Sequence, residues 1–146
     1  MNKINLFIFS FLLCGLGFLN FTIAQTNSDD ILGTWMVKGK NAKILIFKNQ
    51  SKYYGKIIWT NNLSKKDHNN PDKNLRNNLI VGITNLRDFV YNKEEDKFVD
   101  GKIYDPLTGF VYSSFMILNS KNELTVRGFL GISLLGRSEN WIRVVE

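Results

Sequence analysis

At 146 residues, with a formal net charge of +6 and 13% aromatic side chains, the chain is of single-domain size and can bury a core without covalent staples. Its one cysteine, Cys14, rules out an internal disulfide and a thiolate metal cluster. The basic residues are scattered and accompany no groove-reading motif, so the charge points to anionic ligands or an anionic surface, not to nucleic acid.

The first 24 residues read as a secretory signal peptide. Lys3 supplies the positive end, Leu6 to Phe18 is almost purely apolar, and Thr22-Ile23-Ala24 offers a small residue before Gln25. The apolar run is shorter than the roughly 20 residues of a membrane-spanning helix. Leu12 and Leu13 stand before Cys14 where a lipoprotein signal needs small residues. The expectation is export to the periplasm or beyond, with no transmembrane segment in the mature chain and with peripheral envelope association left open. Lys3 is the only charge in this stretch, so residues 25–146 carry +5.

From Gln25 onward the pattern is that of an all-β domain. Ile31 to Val37 alternates with a period of two and reads as a first strand, followed by a turn at Gly39-Lys40-Asn41. Ala42 to Phe47 and Tyr53 to Thr60 are the next strands. Asn61 to Asn78 is polar and long for a compact domain, which suggests a lid over one end. Asn70-Pro71-Asp72 within it is a helix-start signal, and one helical turn through Arg76 would let Leu75 pack down as a plug. Short strands are expected at Leu79 to Thr84, Phe89 to Tyr91, Lys97 to Val99 and Gly101 to Tyr104, the last stopping at Asp105-Pro106. Phe110 to Leu118 and Glu123 to Phe129 follow, and the stretch Arg127 to Arg143 reads as a closing hairpin with a glycine-punctuated turn. Strands at such spacing, with no helix long enough for a parallel crossover, imply an antiparallel barrel or sandwich.

Several stretches in order carry a family resemblance. They are Gly33-Thr34-Trp35, Tyr54-Gly55-Lys56-Ile57-Ile58-Trp59, Asn70-Pro71-Asp72 with Leu75-Arg76-Asn77, Gly101-Lys102-Ile103-Tyr104-Asp105-Pro106, and Arg127-Gly128 through Gly136-Arg137 to Trp141 and Arg143. Over nearly its whole mature length, the chain resembles a bacterial exported family catalogued as domain of unknown function 2147. The resemblance implies a small antiparallel lipocalin-like β-barrel over residues 25–146, with a long lid loop carrying a short helical turn. Asn78 and Leu79 stand where that family often has arginine and proline. More loosely, Gly33-Thr34-Trp35 and Arg143 are similar to the first-strand Gly-x-Trp and last-strand basic residue of lipocalins. A guanidinium stacked on an indole, with its fork on backbone carbonyls, would fasten the barrel where its ends meet. Gly33, Trp35, Trp141 and Arg143 are therefore assigned to barrel closure.

The candidate ligand contacts are Arg127, Arg137, Tyr104, Trp59, Tyr112 and Arg76. Arg127, if inward, is a buried cation that a carboxylate or phosphate would satisfy; if outward, it is solvated or pairs with Glu123 or Glu139. Arg137 opens the last strand close to it. Tyr104 ends a strand at the rim, Trp59 and Tyr112 are aromatic lining, and Arg76 lies on the lid. The lone histidine, His68, sits in the lid without a second ligand at metal spacing or a serine in a nucleophile elbow. No metal, cofactor or catalytic group is expected. The leading reading is a barrel that binds a small hydrophobic or amphipathic, conceivably anionic, molecule; the alternative is an envelope structural or interaction module whose barrel is filled by its own aromatics.

Overall fold

The computed structural model describes residues 27–37, 39 and 42–145. The signal-peptide reading of residues 1–24 and the Lys40-Asn41 part of the first turn lie outside the described residues. Eight antiparallel strands form a closed barrel: β1 (Gly33–Val37), β2 (Ala42–Asn49), β3 (Lys52–Thr60), β4 (Thr84–Asn92), β5 (Lys97–Asp105), β6 (Phe110–Ser120), β7 (Glu123–Phe129) and β8 (Gly136–Arg143). Each pairs with its sequence neighbours. β8 returns to β1 through Trp35↔Arg143, Met36↔Ile142 and Val37↔Trp141, so the sheet has no free edge to template aggregation.

Up-and-down order places the turn after β1, the 61–83 segment, the 106–109 turn and the 130–135 loop at one end, the mouth. The short turns after β2, β4 and β6 lie at the other, the base. A 3-10 turn, Ser28–Ile31, closes the base. Ile31, expected as the start of the first strand, is instead the last residue of that turn and is fully buried. Asp29 moors the turn by accepting hydrogen bonds from Lys48 Nζ at 2.7 Å and Tyr53 Oη at 2.8 Å.

Closure at the base centres on Arg143. Its guanidinium carbon lies 4.2 Å from the Trp35 ring centroid. The fork donates to the carbonyl of Leu32 at 2.8 Å and to those of Asp30 and Lys121. Trp35 is fully buried and donates its indole N–H to Ile31 O at 2.8 Å. Gly33 has φ of +121°, and a Cβ there would come within 3.0 Å of the guanidinium; glycine is needed both for the conformation and for the approach. Above this, Tyr53, Phe89, Phe98, Met116 and Leu124 fill the lower half of the barrel.

Three bulges explain where strict alternation misleads. Both β4 and β5 are longer than expected: in β5, Asp100 at φ +61° inserts between Phe98↔Met116 and Gly101↔Ser114 and joins two short runs into one strand, and β4 runs through a shift between Tyr53↔Phe89 and Gly55↔Leu86 that contains Asp88 at φ +63°. The β2–β3 ladder slips between Lys43↔Trp59 and Ile44↔Ile57. The β3–β4 ladder slips between Gly55↔Leu86 and Lys56↔Thr84, leaving Asn85 as the extra residue. The expected strand at Leu79 to Thr84 does not form. Leu79 makes only an isolated bridge to Lys66, and Gly82 at φ +101° turns the chain against Ile57 before β4 begins. Leu75 is 43% exposed and plugs nothing; Ile80 and Ile83 are the residues of this segment that pack inward.

Replacing Arg143 by methionine leaves three carbonyls without their donor and is expected to lower the unfolding free energy by about 2–4 kcal/mol. Arg143→Lys, which keeps charge but loses the fork, should recover less than half of that. Urea denaturation of both variants measures it, and an unchanged midpoint would show that the clasp contributes nothing.

Candidate functional site

The upper half of the barrel is hollow. Inward side chains of β1, β2, β3 and β7–β8, chiefly Val37, Ile44, Ile57, Val126 and Trp141, wall a cavity of about 370 Å³. That exceeds the roughly 300 Å³ at which ligand pockets begin. Ile80 covers one side, while Lys65, Leu107 and Arg137 stand at the opening. Aromatics fill the barrel below, while Tyr112 and Trp141 line the hollow above.

Two residues that line this space each carry a buried polar atom with no hydrogen-bond partner. The atoms are Nε1 of Trp141, which is 2% exposed, and Oδ1 of Asn85, which is 7% exposed. One is a donor and the other an acceptor. A buried polar group left unpaired costs on the order of 1–3 kcal/mol, so a side-chain rotation that brought either atom to a bound molecule would recover a bond without breaking one.

The candidates chosen from sequence divide between the two faces of the wall. Leu124, Val126 and Gly128 are the inward set on β7. Arg127 therefore lies on the outer face, the second of the two positions that alternation left open, and is not a ligand contact of this cavity. Its guanidinium donates from Nε and Nη2 to Ser133 O at 2.9 and 2.7 Å and from Nη1 to Ser138 Oγ at 2.9 Å. Neither a ligand nor Glu123 satisfies it; the loop backbone does. Arg137, opposite Gly128, lines the cavity, as does Tyr112 opposite Ile103. Arg127 and Arg137 thus diverge across the sheet. Trp59 is turned out by the β2–β3 bulge and lies beneath Lys43, whose Nζ is 5.7 Å from the ring centroid. Arg76 braces the lid by donating to Asn70 O at 2.7 Å and is not a cavity residue. Trp141, assigned to closure, does pair with Val37 of β1 but also lines the hollow, with its indole N–H buried and unpartnered.

The 61–83 segment is latched to the barrel wall. Tyr104, on the opposite face of β5 from the inward Ile103, donates its hydroxyl to Asp67 Oδ1 at 2.6 Å. Asn70 Nδ2 donates to Asp67 Oδ2 at 2.6 Å, and Asn69 Nδ2 to Leu107 O at 2.6 Å. Asp67 is 1% exposed, so its carboxylate is a structural hub. The expected helical turn is present as Lys73–Leu75, capped by Asp72 and not by Asn70. His68 is exposed beside Asp67 but does not share its bonds. Burial raises the Tyr104 pKa well above the usual tyrosine value, and the bond to Asp67 adds to the rise.

Sequence reasoning missed Asn85, Asp67 and Ile80. Asn85 interrupts an apolar run at Ile83 and Leu86, a visible signal, but the bulge that aims it is a property of the ladder. Trp141 shares parity with Arg143 and Arg137 on the last strand, so its inward direction was available from alternation.

The family model described as an uncharacterized protein conserved in bacteria (DUF2147) matches residues 33–143. The chain belongs to that family. Its matched span takes in all eight strands and the latched segment. Among solved structures, the chain is similar to protein HP1028 from Helicobacter pylori, described as belonging to the lipocalin family. The two share 23% identity and a TM-score of 0.71, over 79% of this chain and 83% of that one. At that identity the likeness concerns the fold, and this member of the family is a lipocalin-like barrel. No curated protein matches the chain significantly.

The raised Tyr104 pKa means that the folded state favours the neutral phenol. Its contribution to stability is full below the ordinary tyrosine value of about 10 and is lost as pH rises beyond it. Tyr104→Phe should flatten the alkaline fall in unfolding free energy and speed amide exchange within residues 61–83. Unchanged exchange in that segment would refute the latch.

Proposed function

We propose that this protein is an exported binding calyx for a small, mostly apolar molecule carrying a neutral polar group able both to donate and to accept a hydrogen bond. The observation that carries the reading is one apolar hollow lined by Trp141 and Asn85, whose buried Nε1 and Oδ1 have no partner and would reach a ligand on rotation of either side chain. A hydroxyl or an amide satisfies both kinds of atom; a wholly apolar ligand satisfies neither. Binding is then burial of ligand surface against Val37, Ile44, Ile57 and Val126, with orientation set by the two polar atoms. Should the ligand also bear an acidic head, Arg137 and Lys65 are the cations at the opening; Arg127 is engaged elsewhere. Export rests on the apolar leader ahead of Gln25. The kinship of fold with a lipocalin-family protein is compatible with this reading and does not name the ligand.

Native mass spectrometry of the protein recovered from its own host is expected to show a chain beginning at Gln25 with a retained small molecule that dissociates on activation. Gly128→Leu directs a side chain into the hollow at a position whose added Cβ meets nothing nearer than 3.4 Å. It should abolish retention while leaving the thermal midpoint nearly unchanged. Asn85→Leu removes an unpaired buried acceptor. It should weaken binding about tenfold while stabilising the empty protein by roughly 1 kcal/mol. Retention unaffected by either substitution would reject the calyx as the binding site.

A further inference from the structure

The 130–135 loop at the mouth is built against ordinary surface logic. Leu130, Ile132, Leu134 and Leu135 are 60%, 61%, 81% and 75% exposed within six residues. Leu107 and Phe110 of the adjacent β5–β6 turn extend the patch along the same rim, at 51% and 61% exposed. Contiguous apolar surface of this kind on a single chain marks an interaction site. Nor is the loop slack. Leu135 N bonds Ile132 O at 3.2 Å, closing a 3-10 turn. Arg127 grips the carbonyls of Ser133 and Leu134 from below, at 2.7 and 3.3 Å through Nη2. A cation on the outer wall is thus spent holding two leucines in water.

Charge indicates what covers them. At the base the acidic turn Glu94-Glu95-Asp96, with Asp30 and Glu123, lies among lysines of which Lys48, Lys52 and Lys97 are paired with carboxylates. At the mouth the exposed charges include Lys66, Lys73 and Arg137. The acids at that end, apart from the exposed Asp72, are buried or half-buried. Asp67 holds Tyr104, Asp72 caps the Lys73–Leu75 turn, Asp105 accepts from Leu107 N, and Glu139 borders the cavity. An apolar tip ringed by cations fits the interface of an anionic bilayer, where leucines enter the acyl boundary and lysine and arginine meet lipid phosphates.

We propose that the 130–135 loop, with Leu107 and Phe110, docks the open end of the barrel onto an anionic lipid surface. Docking itself does not require an occupied cavity. Its use, exchange of an apolar ligand directly with the membrane, rests on the binding reading above. In the docked pose the opening between Arg137 and Leu107 faces lipid, so a ligand passes between cavity and bilayer without crossing water.

Flotation with vesicles tests it, using the chain that begins at Gln25. The protein should float with phosphatidylcholine–phosphatidylglycerol vesicles, much less with phosphatidylcholine alone, and less at high salt. Leu134→Ser with Leu135→Ser should weaken partition about tenfold per leucine, with circular dichroism and thermal midpoint unchanged. Arg137→Gln should weaken it about fivefold on the anionic vesicles only. The Leu134/Leu135 variant should still retain a ligand in solution, while Gly128→Leu should still float. The two pairs of results separate failure of docking from failure of ligand binding. Absence of flotation, or flotation equal in the serine variant, overturns the proposal. A concentration-dependent dimer that the serine variant dissolves, with no vesicle binding, overturns it in favour of a second copy covering the patch.

Discussion

The barrel depends on one arginine held between its two ends. An eight-stranded sheet has its backbone groups paired only if the last strand returns to the first, and that return comes late and at long sequence separation. Arg143 secures it by stacking on Trp35 and donating to carbonyls before the first strand and in the turn between β6 and β7. Burial lowers the guanidinium pKa, while Asp30 opposes that shift; the fork geometry rather than the charge alone makes the site fit arginine. Gly33 leaves room for it.

Closing the base so firmly sets the character of the mouth. Aromatic and aliphatic side chains are concentrated around the clasp and fill the lower barrel, and the Ser28–Ile31 turn seals what remains. The upper walls then have too little side-chain volume to meet at the centre, with valine, isoleucine, alanine and glycine facing inward, and a hollow results. Packing that would be a defect in a small domain is tolerated because the base and the closed ladder already supply stability. The unpaired Trp141 and Asn85 atoms lie in the same upper half: on the proposed reading, stability is given up where a ligand would bind.

The lid illustrates how a polar, irregular segment is ordered without a core of its own. Asp67 is buried and bonded to Tyr104 and Asn70, and Asn69 reaches the β5–β6 turn, where Gly109 at φ +75° lets the Asn69 carbonyl come close. These bonds tie loops that are distant in sequence into a single rim. The same rim carries the exposed leucines, so the latch, the opening and the docking surface form one mechanical unit at the mouth.

Much of this was legible in the residues. The spacing of short alternating runs implies an antiparallel barrel, Gly33-Thr34-Trp35 with Arg143 implies how it closes, and Asn70-Pro71-Asp72 implies a turn in the lid. What alternation could not settle were the faces beyond each bulge. A single inserted residue reverses parity, and it sent Trp59 outward, joined the two halves of β5 and gave Asn85 its buried place. Arg127 illustrates the same limit differently: the pattern offers two faces, and only the neighbours on β6 and β8 decide which one meets the core. Local chemistry by itself determined the elements and the clasp. The hollow, the unpaired atoms of residues that line it and the braced leucines above it arise from which residues meet across the barrel, and that is decided by ladder register, a property of pairs of strands and not of any one stretch of chain.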